Sequence, residues 1–421
     1  MPETLILLTA VTLCLATVLC HAGVDLTPDT NGDRIAVVKS GAVSYLPARR
    51  VELVERVGGA GACRYIRRSS NGDLYVMGPG IGHSVLHSTD GGLTWSTTTF
   101  ELDLGELDMP RSARDSPLGF LAAFAILRDD TFVLLLMPSN YQPNTQAVIA
   151  RSSDFGKTWQ AQIMDTDVGP YKFVQGGNSD ILELADGTIL ATVDLRNGRH
   201  DDELAVEQRG LFNYALRSLD GGRTWPEKSC ITLYAAETHL LQLPSGKLLA
   251  AIRKQRGHRL PGDPASPYDL KLAHGYRPQF DSEERNSEKD EDTNRIKNTF
   301  LSESTDGGRT WVNERQVTSF LQCSADLTRL EDGTLMLLFL HRYPDDLAHT
   351  GIRAKVSDDE GKTWRDELYV ISQGHGDDID TGSSYPGSIA TADGGLITVC
   401  ANWSHGRTRL EAVHWRPGKN F

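Results

Sequence analysis

One octet occurs five times in this chain and constrains its fold more than any other feature. The copies share a leading Ser, an Asp at the third position, a Gly at the fifth and a closing Thr-Trp. They are STDGGLTW (88–95), SSDFGKTW (152–159), SLDGGRTW (218–225), STDGGRTW (304–311) and SDDEGKTW (357–364). Asp accepts hydrogen bonds from turn amides, Gly adopts a left-handed backbone, and Trp packs beside the turn. The octet therefore predicts a hairpin turn that is repeated five times.

A second repeat, out of phase with the octet, places a turn before an apolar strand. It reads NGDLYVM, DDTFVLLL, DGTILATV, SGKLLAAI, DGTLMLLF and DGGLITVC, with the second turn residue at 72, 130, 187, 246, 333 and 394. The intervals are 58, 57, 59, 87 and 61 residues. A four-stranded unit of this length cannot bury both faces alone, and stacking of such units around an axis supplies the core. The sequence predicts an all-β, six-bladed β-propeller over residues 23–421.

Two irregularities of the repeat also lead to predictions. The 87-residue interval indicates an insertion at about 255–297, rich in proline and then in charge. We interpret it as a solvated loop, with a lid over the mouth of the propeller as the alternative. The sixth unit has no octet because the chain ends soon after it, so we expect strand Ile35–Val38 to complete this unit and close the ring.

The N-terminus and the charge limit where the protein acts and what it binds. Leu5–Cys20 is almost continuously apolar, and Cys20 and Ala22 place small residues at the −3 and −1 positions of a cut after Ala22, which predicts a secretory signal over residues 1–22 and a secreted protein. The run is shorter than the ~20 residues that span a bilayer, so cleavage would leave no stable membrane insertion. An uncleaved anchor is the alternative, since Met1–Thr4 has no Lys or Arg. With 43 Lys and Arg against 56 Asp and Glu, the net charge of −13 argues against nucleic-acid binding.

Four cysteines remain after residue 22, at positions 63, 230, 323 and 400. They are widely separated and lack the Cys-x-x-Cys spacing of zinc sites, so we predict no metal and no cofactor. Disulfides and free thiols both remain open for them. The sequence does not indicate an oligomeric state.

The five octets, known as Asp boxes, and the six phased units resemble the sialidase superfamily over nearly the whole mature chain. The resemblance implies a propeller whose site lies at the mouth, near the start of each innermost strand. Nine residues before the turn position stand Cys63, Leu121, Asn178, Glu237, Ser324 and Tyr385. At this offset the family has its nucleophilic Tyr in the last blade and its partner Glu two blades earlier. The resemblance thus implies Tyr385 as nucleophile and Glu237 as its base.

The same resemblance implies arginines that bind a substrate carboxylate. Arg253 lies seven residues after the fourth turn, where the family has one of them. Arg64, Arg342 and Arg353 are the candidates for the other two. An arginine fork binds a carboxylate bidentately, and a neutral Tyr approaches the anomeric carbon beside that carboxylate without like-charge repulsion. We therefore expect a glycoside hydrolase that acts on terminal, acidic sugars such as sialic acid.

The general acid is the largest departure from the family. The loop after the first inner strand, GPGIGHSVLH, contains no Asp or Glu, and its histidine, His83, is one candidate for the acid. Asp115 and Asp380 are the carboxylate candidates from other loops. Protonation of the leaving oxygen requires one such group.

Three other functions remain open. Glu237 with Asp180 or Asp194 could form the carboxylate pair of a glycosidase for another glycan. The propeller could bind glycans without catalysis. It could also be a polysaccharide lyase, with Tyr385 as the base and Arg253 holding a uronate.

Overall fold

The computed structural model describes residues 34–55, 65–78, 81–104, 107, 121–137, 147–164, 173–175, 178–197, 210–256, 296–319, 321–341, 350–373, 385–404 and 407–418. Within these residues the regular structure is entirely β-strand, and no helix is long and apolar enough to cross a membrane. The chain begins with the hairpin β1 (Arg34–Lys39) and β2 (Ala42–Val54). The remaining strands fall into six consecutive antiparallel meanders, called units one to six.

The bounds of the units follow the two sequence repeats. Unit one holds β3 (Tyr65–Arg68), β4 (Leu74–Met77), β5 (Ser84–Ser88) and β6 (Ser96–Thr99). Unit two holds β7 (Leu121–Ile126), β8 (Phe132–Leu136), β9 (Val148–Ser152) and β10 (Gln160–Ile163). Unit three holds β11 (Phe173–Gln175), β12 (Ile181–Glu183), β13 (Ile189–Asn197), β14 (Gly210–Ser218) and β15 (Glu227–Leu233), and both β11 and β12 pair with β13.

The last three units have the same order. Unit four holds β16 (Ala235–Gln242), β17 (Leu248–Arg256), β18 (Ile296–Ser304) and β19 (Val312–Gln316). Unit five holds β20 (Gln322–Arg329), β21 (Leu335–His341), β22 (Gly351–Ser357) and β23 (Leu368–Val370). Unit six holds β24 (Gly387–Ala390), β25 (Leu396–Ser404) and β26 (Arg407–Trp415), and β2 pairs with β26 as its fourth strand.

The N-terminal hairpin corrects one prediction. Strand β1, which contains Ile35–Val38, pairs with β23 at the outer edge of unit five, and β2 instead completes unit six. Ser40 and Gly41 both have positive φ, 49° and 78°, as a two-residue hairpin turn requires. This turn reverses the chain and places the longer strand on unit six. Because β1 pairs with both β2 and β23, and β18 touches β20 through one parallel pair, units four to six form a continuous 13-stranded sheet.

The units contact one another in cyclic order. If β12, β13, β14 and β15 are counted as the four main strands of unit three, the first strand of each unit contacts the first strand of the next, and β24 of unit six contacts β3 of unit one. The octets join the third to the fourth strands and pack on the preceding unit. A Cβ on Gly361 in unit five would lie 2.9 Å from Leu301 of unit four, and one on Gly92 in unit one would lie 3.2 Å from His414 of unit six. The contacts therefore return to their starting point.

Each octet is held by its own side chains. In the first copy, Asp90 Oδ1 accepts the backbone N–H of Thr94 at 2.9 Å, and the Thr94 hydroxyl donates to Asp90 Oδ2 at 2.6 Å. Ser88 Oγ accepts the N–H of Gly92 at 2.8 Å. The other four octets repeat all three bonds. Unit six has no octet because its fourth strand comes from the other end of the chain.

The core lies between the units. Every residue of β4, β8 and β21 is buried, because each second strand is covered on both faces by neighbouring meanders. The turns before these strands use glycine at 72, 187, 246, 333 and 394, with φ between 81° and 94°. Asp130 takes the equivalent position in unit two with φ 61°. The insertion predicted at about 255–297 lies largely outside the described residues, which end at 256 and resume at 296.

Candidate active site

A bulge at the start of the first strand places the central carboxylate. In unit four, Ala236 pairs with Arg253 and Thr238 pairs with Ile252, so Glu237 is an extra residue without a partner across the ladder. Its φ is 54°, a left-handed conformation that few non-glycine residues adopt. Asn178 and Ser324, at the same offset in units three and five, have φ of 64° and 58°. The same local distortion thus occurs at the inner edge of three successive units.

The structure brings Glu237, Arg253 and Tyr385 together. The Tyr385 hydroxyl donates to Glu237 Oε1 at 2.9 Å, and Arg253 Nη1 donates to the same oxygen. Glu237 is 5% exposed, and Arg253 stands opposite the bulge on β17. Arg253 Nε is buried without an acceptor among the described residues, so the protein leaves part of this guanidinium unused. A phenol, a carboxylate and a guanidinium therefore share one oxygen atom at the inner edge of the fold.

Ser324 also contacts the Glu237 carboxylate. Its hydroxyl donates to Glu237 Oε2 at 2.6 Å, and the residue is fully buried. Ser324 stands at the same offset from its turn as Glu237 and Tyr385, but the sequence predicted no role for it. The shared offset was the available signal, since three residues at that offset converge here.

The two aspartates considered as partners of Glu237 are held by other groups. Asp180 Oδ1 receives Arg67 at 2.9 Å, and Oδ2 receives the Leu240 N–H at 2.9 Å and lies 3.4 Å from His239 Nε2. Asp194 accepts the side-chain amide of Asn213 at 2.7 Å. Both aspartates are 2% exposed. Their burial and their hydrogen bonds to other protein groups indicate a structural role for both aspartates.

Asp180 belongs to a chain of contacts between units that the sequence analysis did not find. His239 Nε2 lies 3.0 Å from Asp326, and the His239 Nδ1 accepts the N–H of Leu327. Asp326 in turn accepts the N–H of Ser388 at 3.0 Å. Asp180, His239 and Asp326 all stand seven residues before their turns, and each accepts an amide of the following unit. This offset was the signal that could have revealed them.

Two further predicted residues lie away from the cluster. Arg353 is 1% exposed, and its Nη1 donates to the main-chain carbonyls of Ile352 and Ser372 at 3.1 and 2.9 Å. Such a buried, carbonyl-bound guanidinium argues against a substrate-binding role for Arg353. His83 is half-buried beside Phe100, with ring centroids 6.4 Å apart, and no described contact joins it to Glu237.

Four predicted residues lie outside the described residues: Arg64, Arg342, Asp115 and Asp380. Their roles remain predictions. Within the described part of the chain, no group of three or more His, Cys, Asp or Glu side chains forms a metal-binding cluster. Cys230, Cys323 and Cys400 are free thiols, and Cys63 lies outside the described residues.

Comparison with solved structures relates the fold to known hydrolases. No protein-family model matches the sequence, and no curated protein matches it. A Hadza microbial sialidase matches with a TM-score of 0.59 and 16% identity, over 88% of this chain and 69% of that one. The Trypanosoma rangeli sialidase bound to the inhibitor DANA matches with a TM-score of 0.53 and 14% identity, over 88% of this chain and 60% of its own length.

An α-L-arabinofuranosidase from Fusarium graminearum, solved as a mutant with an iminosugar inhibitor, matches over 91% of this chain and 98% of its own. The TM-score is 0.57 and the identity 11%. At such identities the likeness concerns the fold alone. The chain has an all-β fold of the kind found in sialidases and in this arabinofuranosidase.

Proposed function

We propose that the six units form a closed six-bladed β-propeller and that the protein is a secreted glycoside hydrolase that removes terminal acidic sugars, of the sialic acid class, from glycans. The cyclic contacts of the first strands support the closed ring. The shared fold with two sialidases supports the reaction class. The apolar segment over residues 1–22, which lies outside the described residues, is proposed as a cleaved signal.

The proposal depends on one observation, the hydrogen bond from the Tyr385 hydroxyl to Glu237 Oε1 at 2.9 Å. A phenol is a weak nucleophile at neutral pH unless a neighbouring base accepts its proton. Glu237 is within reach to accept it, and Arg253 beside it offsets the negative charge of the carboxylate. This arrangement suits attack on an anomeric carbon that carries a carboxylate, because the attacking atom starts uncharged.

In the proposed first step, the Tyr385 oxygen forms a bond to the anomeric carbon while its proton passes to Glu237. The glycosidic C–O bond breaks, and the leaving oxygen takes a proton from a general acid, for which Asp115 and Asp380 are the proposed candidates. In the second step, water replaces Tyr385 on the anomeric carbon and gives a proton to the deprotonated general acid, while Glu237 returns its proton to the oxygen of Tyr385. Arg253, with Arg64 and Arg342 as further proposed clamps, would hold the substrate carboxylate through paired N–H donors.

A panel of aryl glycosides, including a sialoside and an arabinofuranoside, tests the reaction class. We expect turnover of the sialoside, and loss of that turnover by at least a thousandfold in Tyr385→Phe, as expected for removal of a nucleophile. Tyr369→Phe is the matched control, because the Tyr369 hydroxyl donates to Glu367 at 2.8 Å in an equivalent pair on the outer strand of unit five. Full activity in Tyr385→Phe would refute the assignment.

A neutral sugar is the second candidate substrate. It is favoured by the fold match to the arabinofuranosidase, which extends over almost all of both chains. Turnover of the arabinofuranoside alone would select it. An unsaturated product that absorbs in the ultraviolet would indicate a lyase, and binding without turnover would indicate a glycan-binding propeller.

A further inference from the structure

Ser324 contacts the second oxygen of the Glu237 carboxylate from another unit. Glu237 Oε1 receives both Tyr385 and Arg253, whereas Oε2 receives the Ser324 hydroxyl at 2.6 Å. The Ser324 oxygen also lies 3.6 Å from its neighbour Cys323 Sγ, a much longer approach to a weaker acceptor. The single hydroxyl proton is therefore directed at Glu237.

The backbone of Ser324 shows that its placement is specific. Its φ of 58° is left-handed, a conformation that is unfavourable for a non-glycine residue. Glycine would adopt this conformation without that cost, yet it would supply no hydroxyl. The strand pairs of unit five also shift between Cys323 and Asp326, so the residue stands in a bulge like that of Glu237. Two bulges in adjacent units thus point a donor and an acceptor at each other.

We infer that Ser324 is a positioning residue, which fixes the Glu237 carboxylate through Oε2 so that Oε1 faces the Tyr385 hydroxyl. The inference rests on the proposed function, in which Glu237 accepts the proton of Tyr385. A carboxylate that turned about its terminal torsion would move Oε1 out of line with the Tyr385 hydroxyl. The hydrogen bond also favours the ionised form of Glu237, the form that a base must have.

Two substitutions at this position separate positioning from folding. Ser324→Ala removes the hydroxyl and keeps the left-handed strain, whereas Ser324→Gly removes the hydroxyl and relieves the strain. We expect Ser324→Gly to be at least as stable as Ser324→Ala, yet both should lose activity alike. Ser302→Ala is the matched control. Ser302 lies on the third strand of unit four, and its buried hydroxyl donates to the main-chain carbonyl of Val312 at 3.1 Å.

The readout is the pH profile of kcat/KM. In both Ser324 variants we expect the acidic limb to move up by about one pH unit, as loss of one hydrogen bond to a charged group implies. The plateau of kcat should fall about tenfold, with KM nearly unchanged. Ser302→Ala should keep the wild-type profile. A wild-type profile in both Ser324 variants, with changes in stability only, would overturn the inference.

A second measurement tests Ser324 even if no glycoside is turned over. The pKa of the Glu237 carboxyl can be followed by ¹³C NMR, with Glu237→Gln used to assign its signal. We expect the pKa to rise by about one unit in Ser324→Ala relative to the wild type. An unchanged pKa would refute the contribution of Ser324, whereas absence of turnover in the wild type would count only against the proposed hydrolase.

Discussion

The glycine at the fifth position of the octet offers a test of how the units pack. Gly361 has φ 79°, and a Cβ there would lie 2.9 Å from Leu301 Cδ1 in the preceding unit and 3.3 Å from Leu335 Cδ2. Gly91, at the fourth position of the first octet, has φ 73° and nothing within 4 Å of its Cβ position. Both substitutions, Gly361→Ala and Gly91→Ala, therefore place alanine in a left-handed conformation at a similar cost in stability. Only Gly361→Ala also adds a close contact with the preceding unit.

The size of the difference follows from these distances. Alanine in the left-handed region costs about 1 kcal/mol relative to glycine at either site. Carbon atoms prefer separations of about 3.5–4.0 Å, so the Cβ at 361 must displace Leu301 or the turn. Overpacking of this kind costs about 1–3 kcal/mol. We expect Gly91→Ala to lose about 1 kcal/mol of stability and Gly361→Ala to lose about 2–4 kcal/mol.

The assay is thermal unfolding of the wild type and both variants at one scan rate. With roughly 2 °C per kcal/mol for a large domain, Gly361→Ala should melt about 2–6 °C below Gly91→Ala. Equal melting temperatures would refute the close packing of the octet on the preceding unit. The sequence agrees with this difference in tolerance. The fourth position of the octet accepts a side chain, as Phe155 and Glu360 show with φ near 60°, whereas the fifth position is glycine in all five octets.

Three further predictions concern the site, acid stability and the thiols. Arg253→Lys keeps the charge but loses the paired donors, so KM for an acidic substrate should rise about tenfold with little change in kcat, and an unchanged KM would indicate a neutral sugar. Side-chain and backbone hydrogen bonds from the octet Thr lower the pKa of the octet aspartates, that of Asp359 to about 2. Because these folded-state pKa values are depressed, the stabilisation is present above the ordinary pKa near 4 and is lost as the pH falls towards 2; circular dichroism should show melting temperatures falling in this window, and a constant value would contradict the argument. Burial raises the pKa of Cys400 to about 12 and encloses Cys323 completely, so a thiol reagent at pH 8 should modify both only after unfolding, and modification of the native protein would show that these sites open.

Local features of the chain were predicted correctly because their physics is local. The octet makes its defining hydrogen bonds within eight residues, from Ser88 to Trp95 in the first copy. The second repeat places glycine where the turn requires positive φ. The prediction that the N-terminal strand completes unit six was wrong. An apolar alternating segment shows that a strand forms but not which sheet edge it joins. The Ser40-Gly41 turn, which pairs this strand with β2 in a hairpin, was the overlooked local signal.

The amino-acid sequence by itself determined the units, their turns and the phase of the residues that line their inner edges, since these depend on periodicity and on short-range hydrogen bonds. The tertiary structure alone decided which of those residues meet. Tyr385 and Glu237 are 148 positions apart, and Ser324 and Glu237 are 87 apart. Arg353 was a substitute candidate for a further clamp, yet it donates to buried main-chain carbonyls. Contacts over such separations depend on how whole units stack and on the bulges that turn single side chains inward, and no local pattern encodes that stacking.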